Sequence, residues 1–550
     1  MSLITETRTE SGMDMEPADM TPGTDHASDI PTELLTQLQT VCGAESVSTD
    51  PGARAFHSQD VYERGHTAAA VVSPSSCEQL QAVVRDSVAA GVPLYVRGGG
   101  MSYTRAFLPG NSRCVLLDMT RMNHIHEINV EDGYVTVDAG CTWKQLDEAL
   151  AAHGVRTTFW GPFSGGRATV GGSFSQGSAT FGSGQTGTTA AAALGFTIVT
   201  DKGELLRTGM DAQPDHLPFF RPYGPDITGL FTHDAGALGI KATITLALEE
   251  RPAAYGGLSV AFSDFESMFA AMRAGAYTGL ASELIGMDAA IAGIQAGERS
   301  LLADFRKLLS IVFGAHSLVR GLGRGARAIA AGRSAFEDIA FTAHFIADAR
   351  SDRLLNAKVA ELREVVLPYG QEMPDAAIGI IRGQPFPQLP LTDMQGRRML
   401  PIHGVLPNSA VLAFRADYRA YIERMQPQMS DARVTVVETF SSLGRNGFLY
   451  EPVWYWEDRL ELFHEKMSPA QMLENVPRYP DNPVARELVE SMKLAVIDIM
   501  YRHGAAHLQI GRVYPYLRDR DETSTELLRR VKASTDVGSL INPDSLGLTP

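Results

Sequence analysis

The chain has 550 residues, 44% of them hydrophobic and 20% charged, a balance that fits a soluble globular protein. That length exceeds one ordinary core and predicts two domains. The formal net charge of −16 argues against a nucleic-acid partner and against attraction to anionic membrane.

Residues 1–31 are polar and acidic and read as a disordered tail, without the basic start and apolar run of a signal peptide. PTELLTQLQTVCG follows as a helix ended by Gly43, then TAAAVVSP as a short strand. CEQLQAVVRDSVAAG is an amphipathic helix stopped by Gly91, and PLYVRGGG is a strand running into a glycine triplet. CVLLDM and GYVTVDAG read as strands and TWKQLDEALAAHG as a helix, an alternation that gives an α/β or α+β class. Residues 157–189 are almost all small, polar or glycine. Ordered strands resume at ALGFTIVTDKGELLRTG, with a hairpin turn at Asp201-Lys202-Gly203, so this stretch is expected to wrap a ligand rather than to act as a linker.

Beyond residue 251, GGLSVAFSDFESMFAAMRAG reads as strand then helix. Residues 301–333 carry Arg306, Lys307, Arg320, Arg324, Arg327 and Arg333 on a helical pattern, either a solvated face or a docking patch for a membrane surface or an acidic partner. RVTVVETFSSL and GFLYEPVWYW are strands paired across Gly444-Arg445-Asn446-Gly447, and PVARELVESMKLAVIDIMYRHG is a helix. There is no internal repeat. The four cysteines, Cys42, Cys77, Cys114 and Cys141, show neither a CxxC pair nor zinc spacing, which fits reduced thiols in a cytoplasmic protein. No apolar run reaches the roughly 18–20 residues of a membrane helix.

The triplet in VRGGGMSYT costs backbone entropy, so something must need the main chain close and oddly bent there. Consecutive glycines can curl N–H groups into an anion-binding nest, as a dinucleotide's pyrophosphate requires, with Ser102 and Thr104 adding hydroxyls. The spacing is not the nicotinamide-type GxGxxG. Four segments in order, PLYVRGGGMSYT, DAGCTWKQLDEALAAHG, WGPFSGGRATVGGSFSQGSATFGSGQTGTTAAAALGFTIVTDKGELLRTG and PDITGLFTHDAGALGIKATITLAL, resemble the FAD-binding domain of the vanillyl-alcohol oxidase and para-cresol methylhydroxylase superfamily. The closing INPDSLG resembles that family's Asn-Pro turn.

The resemblance implies a two-domain α+β fold of that FAD-binding type: an FAD-binding domain over 32–250, a cap with an antiparallel sheet over 251–490, and a segment over 491–550 returning to the flavin. It implies that Arg97, Gly98, Gly99, Gly100, Met101 and Ser102 hold the pyrophosphate. Gly171, Gly172, Ser175 and Gly177 would line a second wall, Gly236, Gly239 and Ile240 would meet the adenosine end, and Asn542 would return to the flavin. Many relatives place a flavin-linking histidine where this chain has Met101, and a thioether cannot make that bond, so FAD is expected to be held non-covalently at this loop.

The cap and the return segment then set the substrate. The branch that oxidises phenols and aryl alcohols places a tyrosine and an arginine near the C-terminus, where a cation and a phenolic donor favour the phenolate. The matching segment runs from Gly511 to Arg518 and carries Arg512, Tyr514 and Tyr516, although Pro515 breaks the adjacent Tyr-Arg pair and the family's base aspartate falls at Ser175. The 2-hydroxy-acid branch matches less well, since His503 and His507 have no aspartate between them. No metal is expected on that pair. In GFLYEPVWYW, adjacent side chains point to opposite faces, so Tyr450, Trp454 and Trp456 cannot share a pocket with Glu451 and Tyr455. Glu438, Glu451, His403 and His507 are candidate acids or bases. The expected activity is hydride abstraction from an alcohol or benzylic C–H of a phenolic or aryl-alcohol substrate. Oxygen or an electron carrier would be the acceptor, and the chain could form a homodimer. The alternatives are a 2-hydroxy-acid dehydrogenase of lactate or glycolate type, and a flavoprotein subunit that docks a cytochrome or membrane acceptor through 306–333.

Overall fold

The computed structural model describes residues 29–288, 339–374, 376–389, 391–393 and 395–548. Residues 1–28 of the expected acidic tail and the basic stretch 301–333 lie outside the described residues.

Among the described residues three sheets carry the fold. In the first, β1 (Val47–Ser48), β2 (Ala70–Val72), β3 (Leu94–Arg97) and β4 (Val115–Asp118) lie in the order β1-β2-β4-β3, with β4 parallel to both β2 and β3. The helix Cys77–Ala89 makes the crossover. Ser76 caps it by accepting from Gln79 N, and Leu80, Val83 and Val84 form its buried stripe. The second sheet contains β5 (Ile125–Asn129), β6 (Tyr134–Asp138), β7 (Val155–Thr157), β8 (Ala193–Val199), β9 (Leu205–Arg207) and β10 (Ile240–Glu250). The long β10 runs antiparallel to β6, β7 and β8, and the turn at 201–203 joins β8 to β9 as expected, with Gly203 at φ +71°.

The stretch 157–189 is more ordered than its composition implies. It holds the end of β7, a helix over Val170–Gln176 capped by Thr169, and the short helix Ser183–Thr186. Glycine is needed in it for contact: a Cβ on Gly171 would sit 2.6 Å from the Cβ of Ala139.

The third sheet is antiparallel and holds β11 (Ala254–Phe262), β12 (Glu283–Asp288), β13 (Phe341–Ala349), β14 (Gln371–Met373), β15 (Arg398–Pro401), β16 (Gly404–Pro407), β17 (Val434–Leu443) and β18 (Gly447–Trp456). Strands β17 and β18 form the expected hairpin, with Thr439 opposite Glu451 and Phe440 opposite Tyr450. Phe448, Tyr450, Trp454 and Trp456 all turn to one face and are buried. There they meet Phe265 and Phe269 of the helix Phe265–Thr278 and Phe414 and Tyr418 of the helix Val411–Asp431. Glu451 and Tyr455 occupy the other face and stay half-buried. Among the described residues no helix is long and apolar enough to cross a membrane.

Candidate cofactor cleft and active site

One cleft collects most of the residues expected to bind the cofactor. Gly98, Gly99, Gly100, Met101 and Ser102 reach it from the loop after β3, and Gly171, Gly172 and Ser175 from the helix Val170–Gln176. Gly236, Gly239, Ile240 and Asn542 complete its wall. Arg97 lies behind the loop instead: a Cβ on Gly100 would stand 2.4 Å from its Nη2. Gly177 ends its helix in the left-handed conformation, against the ring of His233. Asn542 is a brace, its Oδ1 accepting from Val96 N (2.8 Å) and its Nδ2 donating to Gly236 O (2.9 Å).

The loop is built to receive an anion. The backbone N–H groups of Gly99, Gly100, Met101 and Ser102 donate no hydrogen bond among the described residues. Gly100 has φ +72°, and a Cβ on Gly99 would lie 1.9 Å from Arg167 O, so the packing requires glycine there. Gln176 Oε1 is buried at the cleft without a partner among the described residues, an acceptor that a ligand N–H would satisfy. Thr169, Lys241, Gln176 and Gln509 also line the cleft, and sequence reasoning missed all four. Lys241 is neutralised by Asp234 at 2.7 Å.

Beside the cleft stands a polar cluster centred on Tyr103, two residues past Met101. Gln509, a cleft residue, donates from Nε2 to Tyr103 Oη at 3.2 Å. The same oxygen lies 3.4 Å from His403 Nδ1, and the Glu451 carboxyl is close enough to act on it. Thr439 Oγ1 donates to Glu451 Oε2 at 3.0 Å. His403 Nε2 is 2.9 Å from Leu508 O, which can only accept, so Nε2 carries the proton and Nδ1 offers Tyr103 a lone pair. His507 Nδ1 donates to His403 O at 2.8 Å, leaving its Nε2 as a buried lone pair without a partner among the described residues. Burial pulls the imidazoles down to about 3 for His403 and about 4 for His507, so both are neutral. Burial pushes the Glu451 carboxyl up, and it raises the Tyr103 phenol, with Glu451 adding to the effect.

The other expected catalytic residues are placed differently. Tyr514 is buried under His507, their rings 4.1 Å apart, and its hydroxyl accepts from His403 N, so it supports the cluster without reaching the cleft. Arg512 does not face the cleft, because its guanidinium donates to the carbonyls of Arg105 and Leu108 and braces the loop 104–110. Tyr516 packs under Arg520, 4.6 Å from ring centroid to guanidinium, and also stays outside. Glu438 is on the helix-covered face of β17, paired with Arg415 at 2.7 Å and Arg419 at 3.6 Å. Strand alternation puts it opposite to Glu451, so of the two carboxyls it is Glu451 that meets the Tyr103 cluster. His503 pairs with Asp417 at 2.8 Å, away from His507.

This fold and cleft define an FAD-binding architecture of the para-cresol methylhydroxylase type, and residues 68–209 match the family model described as an FAD binding domain. Over 222 residues the chain is 31% identical to the 1'-carboxy-chondrochloren decarboxylase of Chondromyces crocatus, covering 40% of each. It is 25% identical over 227 residues to a mitochondrial D-lactate dehydrogenase (cytochrome) of Arabidopsis thaliana, covering 40% of this chain and 38% of the relative. It is 27% identical over 223 residues to the 4-cresol dehydrogenase (hydroxylating) flavoprotein subunit of Pseudomonas putida, covering 37% and 39%. The chain thus spans about two-fifths of the length of these curated relatives. Among solved structures, alkyldihydroxyacetonephosphate synthase superposes with a TM-score of 0.68 at 14% identity, over 96% of this chain and 87% of that one. Para-cresol methylhydroxylase with substrate bound superposes with a TM-score of 0.64 at 14% identity, over 94% and 98%. These two likenesses show the fold.

Proposed function

We propose that the chain is an FAD-dependent oxidoreductase that abstracts hydride from an alcohol or benzylic C–H, with a phenol or aryl alcohol as substrate. The observation that carries this reading is the cluster around Tyr103, from the glycine loop: its hydroxyl accepts from Gln509, which lines the cleft, and the Glu451 carboxyl, from the third sheet, acts on it. The nest from Gly99 to Ser102 would hold the diphosphate, and Gln176 would accept from a ring N–H. Bound FAD would supply the hydride acceptor. The substrate hydroxyl would give its proton to Tyr103 Oη while Tyr103 passes its own proton to the Glu451 carboxylate, and the Gln509 amide would hold the phenolic oxygen in place. Reoxidation would fall to oxygen or an electron carrier.

The hydroxy-acid alternative needs a cation for the substrate carboxylate. The groups around the Tyr103 hydroxyl are an amide, a neutral imidazole and a carboxyl, so this cluster favours a substrate that arrives uncharged.

Two results are expected. First, acid precipitation of the yellow protein should release the flavin to the supernatant, since Met101 cannot bond it. A coloured pellet would place a covalent link elsewhere, and a colourless protein that cannot be reconstituted with FAD would remove the proposal. Anaerobic bleaching by phenols and aryl alcohols, but not by 2-hydroxy acids, would fix the substrate class. Second, Tyr103→Phe should lower kcat/KM by about 100-fold or more with flavin absorbance kept. Because burial raises the Glu451 carboxyl and the reaction needs its ionised form, wild-type kcat/KM should fall at acid pH through a value above the ordinary carboxylate range. Glu451→Gln should abolish that limb, and an unchanged profile in this variant would exclude the carboxyl from the proton path.

A further inference from the structure

Large apolar side chains that face water are scattered over this fold, except in one stretch. Among the described residues sixteen of them are exposed, and six fall between residues 217 and 230: Leu217, Phe219, Phe220, Tyr223, Ile227 and Leu230. Tyr223 is 66% exposed and Phe219 51%. No residue between Thr208 and Thr228 is buried, and residues 213–226 form neither helix nor strand. A long irregular arm that buries none of its three aromatic rings adds little to its own core, so the core does not explain why the rings are there.

The arm is nevertheless held in shape. Met210 N donates to Phe220 O at 3.1 Å, and Thr228 Oγ1 donates to Thr208 Oγ1 at 2.9 Å, which closes the base. At its centre Arg221 forks onto Asp226, Nε to Oδ1 at 3.1 Å and Nη2 to Oδ2 at 2.9 Å, while Nη1 donates to Ala190 O. The Phe219 and Phe220 rings lie 6.0 Å apart. Four of the residues 213–226 are proline, which fixes φ and reduces the entropy lost when the arm docks.

We propose that residues 213–230 form the interface of a symmetric dimer, in which the arm of one copy packs on the same arm of a second. Charge selects this occupant. The arm's charges are Asp215, Arg221 and Asp226, and the last two neutralise each other. Its one cation is therefore engaged, which leaves nothing to draw in anionic lipid or an acidic protein. Two copies that each carry −16 repel elsewhere, and a nearly neutral apolar surface is where they can meet. Area agrees. With aromatic side chains of 150–250 Å² about half exposed or more, the six residues offer on the order of 500 Å² per copy. Two copies then bury on the order of 1,000 Å², the floor for a specific interface. Pairing like with like across a two-fold axis closes the assembly at two. This surface is independent of the oxidoreductase reading and stands or falls without it.

Sedimentation velocity of the full chain as purified, over a range of concentrations, tests the dimer. Wild type should change from monomer to dimer with a dissociation constant on the order of micromolar or tighter. Phe219→Asp and Tyr223→Asp should each weaken it by about 100-fold or more, since each change enters the interface twice. Both replace exposed side chains, so circular dichroism and melting temperature should stay close to wild type. Tyr223→Phe should keep the dimer, and so should Tyr277→Asp, which changes an equally exposed ring (58%) on the helix Phe265–Thr278. A monomeric wild type, a mass that keeps growing beyond two copies, or a dimer that both arm variants leave intact would overturn the proposal. So would a wild type that co-sediments with phosphatidylcholine vesicles as a monomer while Tyr223→Asp does not, a result that would assign the arm to a lipid surface.

Discussion

Unfolding followed by circular dichroism should show stability falling steeply between pH 6.5 and pH 4.5. His344, His403 and His464 are buried, and His233 and His507 are half-buried. Burial pulls their imidazoles to about 4, 3, 3, 4 and 4 respectively, from an ordinary value of about 6.5. The folded chain therefore keeps these rings neutral in a range where the unfolded chain protonates them. Their contribution is fully present above about pH 6.5 and is lost as pH falls through the folded values. Asp60 acts in the opposite sense: burial pushes its carboxyl up to about 7, so the fold keeps a proton that the unfolded chain releases. The raised carboxyls of Glu451, Glu283 and Asp234 oppose the histidines in the same way. Five rings against Asp60 leave at most roughly four protons taken up on unfolding, or about 5 kcal/mol per pH unit at the steepest. For a chain of this size that is about 5 °C of melting temperature per unit. His464→Gln, which removes one ring at the capping turn of the helix Leu462–Met467, should flatten the slope by about one proton. A melting temperature at pH 5 equal to or above that at pH 7.5 would refute the account.

Arg382→Gln should cost about 3–5 kcal/mol, because it leaves the buried Glu283 carboxyl without its cation and Asp348 with one cation where it had two. Arg382 bonds Asp348 and stands 3.5 Å from Glu283. Arg156 also reaches Asp348, at 2.9 Å, and both guanidinium groups pack by the Trp160 ring, 5.4 Å from its centroid for Arg156 and 4.8 Å for Arg382. Glu283 Oε1 also accepts from Gly182 N at 2.9 Å. The network thus fastens β7 and the glycine-rich segment after the helix Val170–Gln176 to β12 and β13 of the third sheet. Asp348 would keep Arg156, but Glu283 would keep only the Gly182 amide and the Ser282 hydroxyl. The melting temperature should drop by about 3–5 °C, and Arg382→Lys, which keeps the charge and loses the fork, should fall between. A shift below about 1 °C in the Gln variant would show that the network adds nothing to stability.

How much was legible in the sequence follows from the range of the interactions. The glycine loops were readable because the demand for φ > 0 and close backbone approach is local, and Gly98 to Ser102, Gly171, Gly172 and Gly236 come together at one cleft. The β17–β18 hairpin was readable from alternation alone. Glu438 and Glu451 both stood as candidates, because alternation within a strand could not say which face the helices 265–278 and 411–431 would cover, and that choice decides which carboxyl meets Tyr103. Tyr103 itself was passed over because its partners are distant in the chain: His403 is 300 residues away and Gln509 is 406. Arg512 was expected at the substrate because the resemblance places an arginine in its segment, whereas backbone carbonyls of the loop 104–110 occupy its guanidinium, a use that no composition signal marks.

The brace at Asn542 sets a schedule for synthesis. Leu94 N donates to Leu540 O, Asn542 N donates to Leu94 O, and the Asn542 side chain ties Val96 to Gly236. Val96 leaves the ribosome 446 residues ahead of the residue that fixes it. At ordinary rates of translation the glycine loop waits roughly half a minute or longer for its clasp. A nascent chain interrupted before residue 540 would therefore present an unbraced loop, and cofactor retention would act as a proofreading step that separates finished molecules from aborted ones.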